Sequence, residues 1–191
     1  MPIHHDTSFV ENLPANVAVL FWDRVSTSPD SEAFRFPRGE AWESITWQQA
    51  GERVEALAAG LLSLGLEPEQ RVGIASSTRY EWILADLAVM CAAGATTTVY
   101  PSTNAEDTAY ILSDSECRVV FAEDDEQIAK LRQGRNELPH LAKVVTFDGA
   151  ADGEWVIGLE DLAELGRAYL AEHPGVIGEK AAAIAPDQLA T

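Results

Sequence analysis

Basic residues are scarce in this sequence: 13 Lys and Arg stand against 31 Asp and Glu, a formal net charge of -18 over 191 residues. Phosphate backbones are held by clustered Lys and Arg, so a nucleic-acid partner is not expected. The acidic balance is read as solubility, and it leaves room for one locally positive pocket. Cysteine is equally sparse. Cys91 and Cys117 are too few for a disulfide framework and have no partners at metal-ligand spacing, so both are expected to be buried thiols. No apolar run approaches the ~20 residues needed to span a bilayer, and no transmembrane segment is expected. Residues 1–11 carry His4, His5 and Asp6 where a signal peptide has a basic start and an apolar stretch, which points to a cytoplasmic location.

Reactive motifs are missing too. There is no glycine-rich phosphate loop with its lysine, no pair of histidines at helical spacing and no nucleophile elbow. No catalytic residue and no metal ligand is therefore assigned. His4, His5, His140 and His173 fall in a terminus or beside prolines and are read as solvated. Asp124 and Asp125 could hold a hard cation, but acidic residues at a helix start more simply complement the helix dipole.

What is present is a periodic pattern. The hydrophobic fraction of 47% and the charged fraction of 23% suit a globule, which at this length buries about 70% of its extended surface. Val17, Leu20, Phe21 and Val25 share one helical face. Ala33 to Phe36 and Trp42 to Ile45 form a hairpin around Pro37 to Glu40. Thr46 and Gln49 form a capping box for a helix buried through Val54, Leu57, Ala58, Leu61 and Leu62 and ended by Gly65. Strands follow at Arg71 to Ala75, Thr96 to Tyr100, Arg118 to Ala122 and Lys143 to Phe147. Thr78 with Glu81 and Thr103 with Glu106 are read as caps of the intervening helices. Strands about 25 residues apart with helices between them predict right-handed crossovers. The fold class is thus α/β, a mostly parallel flavodoxin-like sheet covered on both faces and preceded by a helix and a hairpin. The domain organisation expected is residues 1–147 as the α/β subdomain and 148–191 as an extension, with an exposed helix over Leu159 to Glu172 and a linker beyond it. Pro186 and Asp187 form a turn that leads to a strand at Gln188.

One local feature points to a ligand. Tyr100, Pro101, Ser102 and Thr103 follow a parallel strand at its carboxyl end, where open α/β sheets form crevices and helix N–H groups attract anions. Tyr100 has a ring to stack on a base. Pro101 fixing a turn and Thr103 capping a helix account for the same residues without any ligand. Trp82 and Met90 sit on helical faces and are read as core rather than pocket.

The stretch Arg71 to Phe121 combines a serine-rich turn after a strand, Glu81-Trp82 opening a helix, a Gly94-Ala95 break, Tyr100-Pro101, Ala105-Glu106 and Tyr110-Ile111-Leu112. In that combination it resembles the acyl-CoA synthetase branch of the adenylate-forming enzymes, and its Tyr-Pro turn resembles the long-chain fatty acyl-CoA ligases. Ile45-Thr46-Trp47 and Leu64-Gly65-Leu66 extend the likeness over nearly all of Val17 to Phe147. Pro186 to Thr191 is similar to the segment that leads into the ATP-phosphate loop of that family.

The resemblance implies a parent enzyme that joins a fatty acid to CoA through an acyl-adenylate, using ATP and Mg. It also implies that the reacting groups come later in the chain, so this portion alone is expected to be inactive and to bind none of ATP, Mg and CoA tightly. Tyr100, Pro101 and Ser102 match a turn near the nucleotide end of CoA in related synthetases. A sheet cut short leaves an open edge, and weak self-association through it is expected. Two other assignments fit the residues: a stand-alone α/β nucleotide- or effector-binding module, and part of a fatty acyl-AMP ligase, whose pattern fits less well.

Overall fold

The computed structural model describes residues 13–191. The expectations made for the N-terminal leader and for His4 and His5 lie outside the described residues. Helix α1 spans Val17–Thr27, and strands β1 (Glu32–Arg38) and β2 (Ala41–Thr46) follow as an antiparallel hairpin. Its turn is Gly39-Glu40, with Gly39 at φ +61 where a side chain would be strained. Helix α2 spans Trp47–Ser63. The Thr46–Gln49 capping box is formed at both bonds. At the other end Gly65 takes φ +82, and the Leu66 and Gly65 N–H groups donate to the Leu61 and Leu62 carbonyls. This is the Schellman pattern that leaves few orphan carbonyls at a helix end.

Five parallel strands then form the main sheet: β3 (Arg71–Ala75), β4 (Ala95–Val99), β5 (Val119–Ala122), β6 (Lys143–Thr146) and β7 (Val156–Gly158), in the order β4-β3-β5-β6-β7. This is the 2-1-3-4-5 order of flavodoxin-like sheets. Helices α3 (Tyr80–Cys91), α4 (Ala105–Asp114), α5 (Asp125–Gln133), α6 (Leu159–Glu172) and α7 (Val176–Ala183) cover it. The period-two alternation of strands sorts the core. Val72, Ile74, Val119, Phe121, Val145 and Ile157 pack under α1, α2, α3, α6 and α7. Ala75, Val120, Ala122, Val144 and Val156 pack under α4 and α5.

Several expectations are corrected. Thr78 does not cap α3: Arg79 is the N-cap residue, without a side-chain cap bond, and its guanidinium instead takes Glu81. Thr103 does not cap α4. Its N–H closes a turn onto the Tyr100 carbonyl, and Asn104 accepts from the Asp107 N–H. Helix α6 is not exposed, since Leu159, Leu162, Ala163 and Gly166 are buried against α2. Residues 175–185 are not a linker but contain α7, with Ile177 and Ala181 in the core. Packing therefore continues past Phe147, and β7 pairs with β6. Asp124 does cap α5, accepting from the Glu126 and Gln127 N–H groups.

The start of α1 is tied to the end of α7. The Asn16 side chain accepts from Val19 N–H at 2.8 Å and donates to the Ala181 and Ile184 carbonyls at 3.0 and 3.1 Å. Asn16→Ala removes a cap and two tertiary bonds, and is expected to cost about 1–2 kcal/mol by denaturant unfolding. An unchanged midpoint would show that water replaces these bonds without loss. Beyond α7 the tail turns at Pro186 and Asp187 and reaches the outer edge of β4. There is no regular strand there, but Thr96 N–H donates to the Ala190 carbonyl and Thr191 Oγ1 donates to the Thr96 carbonyl.

Candidate functional site

Crossovers from β3 and from β5 leave the sheet on opposite faces, via α3 and α5, so their carboxyl ends diverge. Such a switch point is where open α/β sheets hold ligands. A crevice of about 450 Å³ lies there, lined by Ser77, Thr78, Arg79 and Glu123 at the strand ends and by Pro37 and Arg38 of the hairpin. Aromatic packing positions the hairpin: Phe36 stacks on Tyr80 with centroids 4.0 Å apart, and Phe34 lies 5.8 Å from Trp47.

The crevice is internally neutralised. Glu123 accepts from Ser77 N–H at 2.8 Å and from Ser77 Oγ at 2.6 Å, so the donors that an incoming anion would use already hold a carboxylate. Burial alone would raise the Glu123 carboxyl, but the Ser77 bonds and the nearby Arg79 take it below its ordinary value. Arg79 reaches Glu81 at 2.7 Å, Asp148 at 2.5 Å and Glu123 at 3.8 Å, and lies 5.7 Å from the centre of the Phe147 ring. Its guanidinium is held charged against partial burial by the Glu81 and Asp148 carboxylates. The group thus ties together the ends of β3, β5 and β6.

Tyr100, Pro101 and Ser102 lie at the same carboxyl edge, one strand away, because Val99 pairs with Ala75. None of the three lines the crevice. Tyr100 is 80% exposed, its ring presented to solvent. The Pro101 carbonyl accepts from Lys130 Nζ at 2.5 Å and from Gln127 Nε2 at 3.4 Å, and Lys130 also pairs with Glu126 at 3.0 Å. The structure therefore brings a cation to the turn from α5, 29 residues on. Sequence reasoning overlooked Arg79, Glu123 and Lys130. The Ser76-Ser77 and Glu123-Asp124 pairs directly after their strands were the available signal, but only strand order shows that those two ends are neighbours.

Neither cysteine is poised for chemistry. Both are buried, and burial pushes the Cys91 thiol up to about 12. Among the described residues no three His, Cys, Asp or Glu side chains gather into a metal-binding group, and no helix is long and apolar enough to cross a membrane.

Comparison with known proteins adds to this geometry. The chain is 31% identical over 151 residues, 79% of its length, to the long-chain-fatty-acid–CoA ligase FadD15 of Mycobacterium bovis. It spans about a quarter of that relative, 24%. A crystal structure of a putative long-chain-fatty-acid CoA ligase from Rhodopseudomonas palustris superposes with a TM-score of 0.67 at 26% identity, over 76% of this chain and 35% of that one. The anthranilate CoA ligase AuaEII, solved with anthranoyl-AMP, superposes with a TM-score of 0.71 over 82% of this chain and 29% of its own. At 18% identity that second likeness speaks to the fold alone. The family model of the AMP-binding enzymes matches residues 21–191, so the chain belongs to the AMP-binding enzyme family.

Proposed function

We propose that this chain is the amino-terminal portion of a long-chain fatty acid–CoA ligase of the AMP-forming type. The observation that carries the proposal is the likeness, over 79% of the chain, to a relative bearing that name. In the parent reaction a fatty acid carboxylate oxygen bonds the α-phosphorus of ATP and pyrophosphate leaves. The CoA thiolate then bonds the acyl carbon and AMP leaves with the former carboxylate oxygen. A cytoplasmic location goes with this assignment.

This portion supplies binding surface rather than reacting groups. Phosphoryl transfer is accelerated mainly by cations and donors aimed at the transferring phosphate. In the switch-point crevice the Ser77 donors already hold the Glu123 carboxylate, and the Arg79 cation is paired with Glu81 and Asp148. Magnesium-binding acids are not gathered among the described residues either, so they would come from elsewhere in the parent. The purified chain is expected to form no acyl-CoA from fatty acid, ATP and CoA in a thioester-release assay. Turnover above background would overturn this assignment of roles.

The turn of Tyr100, Pro101 and Ser102 is proposed to receive the nucleotide end of CoA. Support comes from the exposed Tyr100 ring, able to stack on a base, and from Lys130 beside it, able to face a phosphate. In the intact parent, Tyr100→Ala is expected to raise KM for CoA about fivefold to tenfold, the worth of one aromatic stack. ATP–pyrophosphate exchange, which needs no CoA, should stay unchanged. An unchanged KM for CoA would remove the turn from the CoA site.

The outer edge of β4 supports the expected self-association. The tail covers it only at Thr96, and Thr98 is exposed. Weak, concentration-dependent dimerisation in light scattering is the expected result, and a monomer at every concentration would count against it. The flavodoxin-like strand order favours one other assignment, a stand-alone effector-binding module using the switch-point crevice.

A further inference from the structure

The tail beyond α7 is held by hydrogen bonds rather than by burial. Ala185, Pro186, Asp187, Leu189, Ala190 and Thr191 are exposed, and only Ile184 and Gln188 are half-buried. Besides its bonds to Thr96, the tail is tied to a corner where the approach to β3 meets the end of α3. There Leu189 N–H donates to Glu69 Oε1 at 2.9 Å, and Gln188 Nε2 donates to the Ala93 carbonyl at 3.1 Å. Glu69 N–H closes the corner by donating to the same Ala93 carbonyl at 2.8 Å.

Both corner residues carry a side chain on left-handed backbone, Glu69 at φ +62 and Ala93 at φ +63. Glu69 follows Pro68 in a turn closed by Gln70 N–H on the Glu67 carbonyl at 3.1 Å, a turn position that favours glycine. The chain does place glycine at positive φ elsewhere, at Gly39, Gly65, Gly153 and Gly175. Strain kept where glycine would relieve it points to a task for the side chain. Glu116, at φ +50, is a parallel case, its carboxylate taking Arg71 at 2.9 Å. The Glu69 carboxylate reaches a residue 120 positions away.

The task is direction rather than stability. An exposed hydrogen bond replaces one to water and adds little to folding. One bond from each of Gln188, Leu189, Ala190 and Thr191 nevertheless fixes the path of the segment along the outer edge of β4. We infer that Glu69 and Gln188 are positioning residues: docked on the Glu69–Ala93 corner, the tail leaves the β4 edge in one direction, and in the parent this sets where the ATP-phosphate loop stands. The last step rests on the ligase assignment, and the docking itself does not.

Amide hydrogen exchange in this chain and ATP–pyrophosphate exchange by the intact parent test the two steps. Glu69→Gly suits the left-handed turn and removes the acceptor. It is expected to leave the unfolding temperature unchanged or higher while the Leu189 amide exchanges about fivefold to tenfold faster. In the parent, Glu69→Gly combined with Gln188→Ala is expected to lower kcat/KM for ATP about tenfold, as misplaced reacting groups do, with KM for the fatty acid unchanged. Glu69→Gln keeps an acceptor oxygen and should rescue both readouts. A corner serving stability alone would instead lower the unfolding temperature in Glu69→Gly and leave the kinetics of the folded enzyme as they were. That pattern, or a wild-type exchange rate at Leu189 in Glu69→Gly, would overturn the inference. So would unchanged ATP kinetics in the double variant. A wild-type parent that forms no acyl-CoA would overturn the ligase assignment, and with it the step to the phosphate loop, while the exchange rate at Leu189 would still decide the docking.

Discussion

Gly166→Ala is expected to destabilise the chain by about 3 kcal/mol and to lower its unfolding temperature by roughly 5–10 °C. Helices α2 and α6 cross backbone against backbone. A Cβ placed on Gly166 would stand 1.8 Å from the Ala56 carbonyl oxygen and 2.7 Å from the Gly60 nitrogen, and one placed on Gly60 would stand 2.3 Å from the Leu162 carbonyl oxygen. All three obstacles are backbone atoms rather than the movable end of a side chain. The helices must separate, and the contacts of Leu162 and Ala163 with the sheet must loosen with them. Overpacking of this kind typically costs 1–3 kcal/mol and more where backbone is struck, against a helix-propensity gain of about 1 kcal/mol. Gly178→Ala is the matched control. That glycine lies within α7 with nothing within 4 Å of an added Cβ, so the same chemical change should stabilise by about 0.5–1 kcal/mol. Opposite signs for the two variants in thermal or urea unfolding are the expected result. A neutral Gly166→Ala would mean that the helices do not meet at their backbones.

The second large effect is at Arg79. Arg79→Ala leaves Glu81 and Glu123, 18% and 20% exposed at their side chains, without their cation, together with the more exposed Asp148. Breaking a fully buried pair costs about 3–5 kcal/mol, and partial exposure here reduces the expectation to about 2–3 kcal/mol at neutral pH. The loss should depend on pH. Because the folded-state pKa of Glu123 is depressed, its stabilisation is complete above its unfolded value, about 4.3, and disappears as pH falls through the lower folded value. Wild type therefore loses stability on acidification. The variant, in which one of the causes of that depression is gone, should lose less, so the two stability curves converge toward acid. Urea unfolding at pH 7 and near pH 3 checks this. A gap that stays constant over that range would show that Glu123 is held by Ser77 alone.

The two results probe different levels of legibility. The capping box at Thr46, the left-handed Gly65 and the period-two strands were readable because each is set by bonds spanning a few residues. The caps of α3 and α4 were misplaced by one residue. At both positions a neighbour competed: Arg79 took Glu81, and Asn104 supplied a short side chain that reaches the Asp107 N–H. Strand β7 is three residues long and too brief for a periodic signal. Helix α6 does show burial at Leu159, Leu162, Ala163 and Gly166, one helical face, but a glycine at its closest contact offers no apolar mark.

The candidate site was partly legible. Tyr100, Pro101 and Ser102 could be placed at a strand end because the strand and the turn are consecutive. Lys130 could not be joined to them, nor Ser77 to Glu123, since those pairs are 29 and 46 residues apart and meet only through strand order and crossover side.

By itself, then, the sequence determined the α/β class, the helix-and-hairpin entry, the buried thiols and the two ends of α2 at Thr46 and Gly65, because local hydrogen bonding and side-chain period act within a turn or a strand. Only the tertiary structure decided which strand ends are neighbours, that α6 rests on α2 through Gly60 and Gly166, and that Glu123 fills the donors of Ser77. Those outcomes depend on close packing between distant segments, where a single methyl group or carboxylate decides what fits.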